Sequence, residues 1–295
     1  MPSSNHPLIL GTGLNGLVGS KIISDLAHIF EFTNLDIAHP TQPVDITDEI
    51  QLQNFIGQTS AKFLIHCAAF TDVTAAWLQN GDKSGLAYRV NFIGTENIAR
   101  VCKKHDIHLI HISTAYVFDG ENPQPYLETD QPSPIEWYGQ TKVWAEEAVR
   151  QFAHDWTILR IDQPFRSDPF AKADIVRRIA KGLATDTLPP QFKNHTFGPT
   201  FIDDFVQIIK QVIDHKITGL YHASSGESWT DYDFARLVAQ KLNMVEKVNP
   251  GDLEAYIKTS QRPYQRNTAL NCDKLYGLID FKPTPIEKAV VSCIF

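Results

Sequence analysis

The stretch LILGTGLNGLVGS, residues 8–20, contains four glycines behind a short apolar run. They can be read in two registers: Gly11, Gly13 and Gly16 form G-x-G-x-x-G, whereas Gly13, Gly16 and Gly19 form G-x-x-G-x-x-G. In both registers a strand leads through a glycine turn into a helix, and this arrangement holds a pyrophosphate at the N-terminus of a helix. The stretch therefore predicts a βα unit that binds a dinucleotide, with the register left open.

Short apolar runs recur through the chain and predict a sheet. Each run is continuous rather than alternating, which is typical of parallel strands covered on both faces. The runs are PLILGT, EFTNLD, KFLIHCAA, IHLIHIST and WTILRI, and GLYHAS is expected to return to the same sheet. Helical periodicity separates them, as in residues 87–104. The predicted fold class is α/β, a doubly wound parallel sheet of the Rossmann type with a smaller C-terminal substrate domain.

The pattern becomes irregular after the WTILRI run, where proline-rich and turn-forming stretches begin. We expect residues 1–162 and 199–224 to form the dinucleotide-binding domain. Residues 163–198 and 225–295 are expected to form the substrate-binding domain.

Composition and charge exclude several classes of protein. A net charge of −7 gives no electrostatic reason to bind nucleic acid or an anionic membrane. No signal-peptide pattern begins the chain, and no apolar run approaches membrane-spanning length. The four cysteines are widely spaced and form no C-x-x-C pair, which is typical of a reducing compartment. We therefore expect a cytoplasmic protein without nucleic-acid or membrane partners.

Asp36 ends the second predicted strand, about 20 residues beyond the glycines, where a carboxylate can accept hydrogen bonds from the adenosine ribose. A carboxylate at that place repels a 2′-phosphate, so NAD(H) is favoured over NADP(H). Because His39 lies nearby in the sequence, NADP(H) is not excluded as the cofactor. The alternative interpretation of Asp36 is a solvated aspartate at a strand end.

The YGQTK segment pairs Tyr138 with Lys142, four residues later. On a helix these positions share a face, so the ammonium lies beside the phenol. A neighbouring cation stabilises phenolate and thereby favours acid–base catalysis. Ser113 and Thr114 end the fourth predicted strand, at the edge where open α/β sheets bind ligands. For Tyr138 and Lys142, the alternative interpretation is an ordinary surface pair on an amphipathic helix.

Taken together, these motifs resemble the extended short-chain dehydrogenase/reductase family, and within it the dTDP-4-dehydrorhamnose reductases and related sugar-nucleotide reductases. The matching segments run through nearly the whole chain. They are TGLNGLVG from Thr12, DITD from Asp45, CAAFTDV from Cys67, VNFIGTENIA from Val90, HISTAYVFDG from His111, YGQTK from Tyr138, FGPTFIDDF from Phe197 and RP at Arg262. The resemblance implies that the second glycine register is used.

The resemblance also implies residue roles. Thr114, Tyr138 and Lys142 would be the catalytic set: reduced nicotinamide supplies hydride, Tyr138 protonates the developing alkoxide, Thr114 positions the oxygen and Lys142 supports the phenol. Thr114, Tyr116 and Arg262 would contact the substrate. The residues implied around the cofactor are Gly13, Asn15, Gly16, Leu17, Gly19, Asp45, Ile46, Ala68, Ala69, Tyr138 and Lys142.

Some positions depart from the pattern of these reductases. Ala115 stands where an acidic residue usually follows the strand-end threonine, DVTAAW at residues 72–77 lacks two acidic positions, and RIDQPFRSDPF lacks the usual aromatic and glycine pattern. The leading interpretation is an NAD(P)-dependent reductase of a keto sugar nucleotide. An epimerase or dehydratase, or a non-catalytic regulatory subunit similar to the β subunit of methionine adenosyltransferase, stays open, as does a homodimer.

No metal site is expected. His105, His108 and His111 recur every third residue, but residues three apart on a strand point to opposite faces. Asp203 and Asp204 begin an amphipathic run and are interpreted as charges at a helix N-terminus.

Overall fold

A computed structural model describes residues 6–295. Twelve strands and twelve α-helices are assigned within this range. The strands are β1 Leu8–Thr12, β2 Glu31–Leu35, β3 Phe63–His66, β4 His108–Thr114, β5 Trp156–Ile161, β6 Pro164–Phe165, β7 Gln191–Phe192, β8 Thr196–Phe197, β9 Thr200–Phe201, β10 Gly219–His222, β11 Trp229–Thr230 and β12 Pro250–Gly251. The helices are α1 Leu17–Leu26, α2 Glu49–Ile56, α3 Val73–Trp77, α4 Leu86–Tyr88, α5 Thr95–Lys104, α6 Trp137–Phe152, α7 Ile175–Ala184, α8 Ile202–His215, α9 Asp231–Lys241, α10 Leu253–Ile257, α11 Asp273–Tyr276 and α12 Ile286–Ser292.

The six predicted strands form one sheet in the order β2-β1-β3-β4-β5-β10. β1 pairs in parallel with β2 on one side and β3 on the other, and β3 pairs in parallel with β4. The predicted fold class is confirmed. Because the chain passes from one side of β1 to the other, the strand order reverses between β1 and β3, and ligands bind at such a point in open α/β sheets.

Contacts divide the chain into two compact units. The first comprises the described residues up to Val117 with Glu136–Leu159 and Ile209–Leu220, and the second comprises Phe118–Ile135, Arg160–Ile208 and Tyr221–Phe295. The sequence assigned residues 118–135, 160–162, 199–208 and 221–224 of this second unit to the dinucleotide-binding domain instead. Within the second unit, the Tyr126 backbone N–H donates to the Ala269 carbonyl at 2.9 Å, a pairing that no local pattern reveals. The functions of the two units stay predictions.

The helix predicted over residues 87–104 contains a wide turn. A π-helix, Arg89–Gly94, separates α4 from α5. At its end the Thr95 hydroxyl donates to the Asn91 carbonyl at 2.6 Å, and such back-bonding competes with the regular backbone ladder. π-helical turns are frequent at functional sites.

Asp203 and Asp204 lie in the first turn of α8, where the sequence predicted helix-terminal charges. Each carboxylate also holds a loop of the second unit. Asp203 accepts hydrogen bonds from the backbone and hydroxyl of Ser167, and Asp204 accepts the same pair from Thr284. Over residues 6–295, no three His, Cys, Asp or Glu side chains are grouped as a metal would need.

None of the helices within the described residues is long and apolar enough to cross a membrane. All four cysteines, described in full, are free thiols.

Candidate active site

The glycine turn connects β1 to α1 through residues 13–16. Gly13 has φ +65°, a conformation that side-chain-bearing residues avoid, and a Cβ on it would lie 2.5 Å from the Ala68 backbone nitrogen. A Cβ on Gly19 would lie 2.5 Å from Leu14 Cα. Gly16 is the N-cap of α1 and offers no side-chain cap. Gly11 lies inside β1, so the turn and the helix start use Gly13, Gly16 and Gly19.

Asp36 directly follows β2 and is buried beside this turn. Its Oδ2 accepts a hydrogen bond from the Asn15 backbone N–H at 3.2 Å, and its Oδ1 accepts one from the Ala38 N–H at 2.9 Å. Each carboxylate oxygen has further lone pairs. The side chain is therefore held at the carboxyl edge of the sheet with spare capacity to accept hydrogen bonds.

The other residues implied around the cofactor fall in two places. Ala68 and Ala69 follow β3, with Ala68 against Gly13. Asp45 and Ile46 lie between β2 and α2, where the Asp45 carboxylate accepts from the Thr47 N–H at 2.8 Å.

The start of α6 places the Tyr138–Lys142 pair. Glu136 is the N-cap, and its carboxylate accepts hydrogen bonds from the backbone N–H groups of Tyr138 at 2.8 Å and Gly139 at 2.6 Å. A carboxylate at this position compensates the unpaired N–H groups and the dipole of the first turn. Tyr138 therefore lies in the first turn of α6 with Lys142 one turn later, and both side chains are buried.

The Lys142 ammonium is held against β4. Nζ donates to the Ile112 carbonyl at 2.8 Å and to His111 Nε2 at 3.2 Å. An ammonium carries three N–H donors, and the third has no partner among the residues that the structure describes. Burial lowers the pKa of Lys142 to about 8, while the Glu146 carboxylate opposes the shift. Lys142 therefore stays a cation at neutral pH.

The two strand-end hydroxyls have different roles. Ser113 Oγ donates to the buried Glu146 carboxylate at 2.7 Å and serves the structure. Thr114 Oγ1 accepts from the Tyr116 backbone N–H at 3.2 Å, and the described residues offer its hydroxyl proton no acceptor. The Tyr116 ring lies edge-on to the Tyr138 ring, with centroids 5.9 Å apart. Thr114 is thus the hydroxyl that can donate to a ligand, beside two tyrosines.

A buried polar network supports Tyr138 and the start of α6. No role was predicted for this network from the sequence. In the π-helix, Asn91 Nδ2 donates to Thr141 Oγ1 at 3.0 Å, and Thr141 donates to the Tyr138 carbonyl at 2.7 Å. The Phe70 backbone donates to Asn91 Oδ1 at 2.7 Å. The only signal in the sequence was an asparagine among the apolar residues of the segment 87–104, and the structure shows that its side chain is buried.

His66, at the end of β3, links Thr12 at the end of β1 to Thr95 at the start of α5. Burial lowers the pKa of His66 to about 3, so the ring is neutral. Because the Thr95 hydroxyl already donates to Asn91, it accepts from His66 Nε2 at 2.9 Å. His66 Nδ1 then accepts from the Thr12 hydroxyl at 2.6 Å.

The three regularly spaced histidines have separate environments. His105 is the C-cap of α5. His108 Nε2 pairs with the Thr157 hydroxyl at 2.7 Å, and His111 contacts Lys142.

Arg262 lies in the second unit. Its guanidinium stacks on the Tyr264 ring at 3.7 Å, and Nη1 donates to the Pro263 carbonyl at 3.2 Å. Its Nε is buried and has no hydrogen-bond partner among the described residues, so its role toward a substrate stays a prediction.

Comparison with known proteins identifies relatives over the same length. The sequence model of the RmlD substrate binding domain family matches residues 7–295. A dTDP-4-dehydrorhamnose reductase of Mycolicibacterium smegmatis is 31% identical over 258 residues, 86% of this chain and 76% of that protein. The β subunit of mouse (Mus musculus) methionine adenosyltransferase 2 is 27% identical, over 97% of this chain and 87% of that protein.

A solved structure has the same fold. The dTDP-4-dehydrorhamnose reductase of Bacillus anthracis, crystallised with NADP, superposes with a TM-score of 0.87 at 24% identity and covers 97% of each chain. The family suggested by the sequence motifs is confirmed, because its model covers nearly every described residue. This chain belongs to the RmlD substrate binding domain family.

Proposed function

We propose that the protein is an NAD(P)-dependent reductase of a keto sugar nucleotide, similar to the dTDP-4-dehydrorhamnose reductases. One observation carries the proposal: the buried phenol of Tyr138 and the buried ammonium of Lys142 lie one helical turn apart. Tyr116 packs its ring against that phenol and donates its backbone N–H to Thr114, whose hydroxyl proton has no acceptor among the described residues. This combination suits proton delivery to a carbonyl oxygen that is being reduced.

The residues present fit a nicotinamide dinucleotide. At Gly13 and Gly19 the backbone is packed so closely that no Cβ could be accommodated, and the N-terminus of α1 faces the same turn without a side-chain cap. Such a turn suits a pyrophosphate. Asp36 has acceptors for the adenosine ribose, and Lys142 retains one N–H donor for the nicotinamide ribose.

A reduced nicotinamide dinucleotide held at this site would supply the hydride for the keto carbon and would itself be oxidised. Thr114 donates its hydroxyl proton to the substrate oxygen and so orients the carbonyl. Tyr138 then transfers its phenolic proton to that oxygen. Lys142 stabilises the phenolate that remains, because its cation lies on the same face of α6.

The relatives support this substrate class, since the reductase from M. smegmatis is 31% identical to this chain. Ala115 removes an acidic side chain directly after Thr114, and it is buried at the start of a short 3-10 turn. We therefore propose a keto sugar nucleotide as the substrate class. The same proposal includes a cytoplasmic location, because four free thiols are typical of a reducing compartment. It also includes a homodimer.

The direct test is to incubate the purified protein with NADH or NADPH and a panel of 4-keto sugar nucleotides, following reduced-nicotinamide absorbance. Stoichiometric oxidation with one of them is expected. Conversion of the sugar without net oxidation would indicate an epimerase instead.

The similarity to a methionine adenosyltransferase β subunit favours a second candidate, a dinucleotide-binding regulatory subunit. Tight dinucleotide binding without turnover of any keto sugar nucleotide, together with altered kinetics of a partner enzyme, would support it over the reductase.

Asp36 gives a prediction on cofactor choice. The buried carboxylate repels a 2′-phosphate, so the protein is expected to use NADH better than NADPH. In Asp36→Asn the charge is lost but an oxygen acceptor remains. The ratio of kcat/KM for NADH to kcat/KM for NADPH is expected to fall by about tenfold. This is roughly the effect of removing one nearby charge at a partly solvated site. An unchanged ratio would remove Asp36 from cofactor selection.

A further inference from the structure

His111 is a buried histidine of β4 that the proposed mechanism does not use. Its Nε2 lies 3.2 Å from Lys142 Nζ, while its Nδ1 is buried without a hydrogen-bond partner among the described residues. Burial, followed by the nearby Lys142 cation, lowers the pKa of His111 well below its ordinary value. The ring is therefore neutral.

The ammonium determines the tautomer of this ring. Lys142 has only donors, so His111 Nε2 must accept and the ring proton must be on Nδ1. That proton is left unpaired in the protein interior, which costs stability. A fold that kept His111 only to fill space would gain by placing an apolar ring there. The arrangement is explained if the Nε2 acceptor serves Lys142.

Two acceptors on β4 fix the rotation of the ammonium. The Ile112 carbonyl takes one N–H and His111 Nε2 takes a second, so the direction of the third follows from tetrahedral geometry. We propose that His111 is a positioning residue, which holds the Lys142 ammonium so that its remaining N–H stays available to the bound dinucleotide. This inference rests on the proposed function.

Other charged and titratable groups around Lys142 do not replace this contact. On α6, Glu146 is engaged by Ser113 and by Arg150 at 2.8 Å, and Tyr138 precedes Lys142 by one turn. From β3 and its end come His66, which is neutral, and Cys67, whose thiol pKa is raised to about 12 by desolvation. His111 is thus the neutral side-chain acceptor that contacts the ammonium in the described residues.

Two substitutions separate the acceptor from the space it fills. His111→Phe keeps a ring of similar size and removes the acceptor, whereas His111→Gln can place an amide oxygen near the position of Nε2. His111→Asn, which withdraws the acceptor but stays polar, is measured in the same way and should match His111→Phe.

The first readout is the affinity for NADH as a function of pH. Affinity is expected to fall at alkaline pH as Lys142 loses its proton. The pH at which half of this affinity is lost is the midpoint of the curve. Loss of a hydrogen bond to a charged group should lower that midpoint by about one pH unit in His111→Phe and by less than about 0.3 unit in His111→Gln. A residue that only filled space would change the affinity at every pH and leave the midpoint in place.

The second readout needs no dinucleotide. Lys142 has a lower pKa in the folded protein than in the unfolded chain, so its ammonium costs stability at low pH, and this cost disappears as pH rises and the group becomes neutral. The difference in Tm between His111→Gln and His111→Phe should therefore be largest near about pH 6.5 and shrink toward about pH 9.5.

A Tm difference that stays constant with pH, with coincident binding midpoints, would overturn the inference about His111. That outcome is distinct from failure of the proposed function. The Tm comparison reports on the contact between His111 and Lys142 even in a protein that reduces no sugar nucleotide.

Discussion

Replacing Tyr138 with phenylalanine is expected to lower kcat on the best keto sugar nucleotide by about 10³-fold, within the range for loss of a general acid. Only one oxygen is removed, and the ring stays packed beside Tyr116. The affinity for the dinucleotide, measured by fluorescence of the bound reduced form, should change by less than about threefold, about 0.6 kcal/mol. Full activity in this variant would refute the assignment of Tyr138 as the proton donor.

Tyr232 provides a matched control for the loss of a tyrosine hydroxyl. It lies on α9 in the second unit, and its hydroxyl contacts Arg236 at 3.3 Å. Tyr232→Phe should leave kcat within about twofold and stability within about 0.5 kcal/mol, as is usual for a change away from special features. A comparable loss of activity in both variants would mean that removal of a hydroxyl acts through general stability instead of proton transfer.

Gly13→Ala is expected to have the second large effect, on both folding and dinucleotide binding. The new Cβ would lie 2.5 Å from the Ala68 backbone nitrogen and 2.6 Å from Ala68 Cα, neither of which can rotate away. The variant should lose at least about 3 kcal/mol of unfolding free energy, as a clash and backbone strain combine. Urea denaturation measures the first effect, and titration with NADH should show that binding is lost.

Gly81 provides a control that separates the steric clash from the backbone strain. Its φ is +79°, but a Cβ on it would meet nothing within 4 Å. Gly81→Ala therefore carries only the cost of the left-handed backbone, about 1–2 kcal/mol, and should leave dinucleotide binding intact. If Gly13→Ala were no more destabilising than Gly81→Ala, the close approach of the glycine turn to the end of β3 would not limit side-chain size.

Much of the fold could be predicted because the signals are local. Continuous apolar runs identified β1, β3, β4 and β5, since strands buried on both faces have no polar alternation. The edge strands β2 and β10 were also predicted, although they are only partly buried. The spacing of Tyr138 and Lys142 required only a helix to bring them to one face. The hydrogen bonds of the Asn91 side chain had no such signal, because its partners Phe70 and Thr141 are 21 and 50 residues away along the chain.

The sequence alone determined the six strands of the main sheet, the family and the pairing of phenol with ammonium, because these depend on residue type and short-range spacing. Only the tertiary structure decided that Ser113 is bound to Glu146 while Thr114 keeps a proton to donate. It also decided that Lys142 rests on His111 and the Ile112 carbonyl. The charge state and hydrogen-bonding capacity of a buried group depend on partners that arrive from distant parts of the chain, and residue spacing does not encode them.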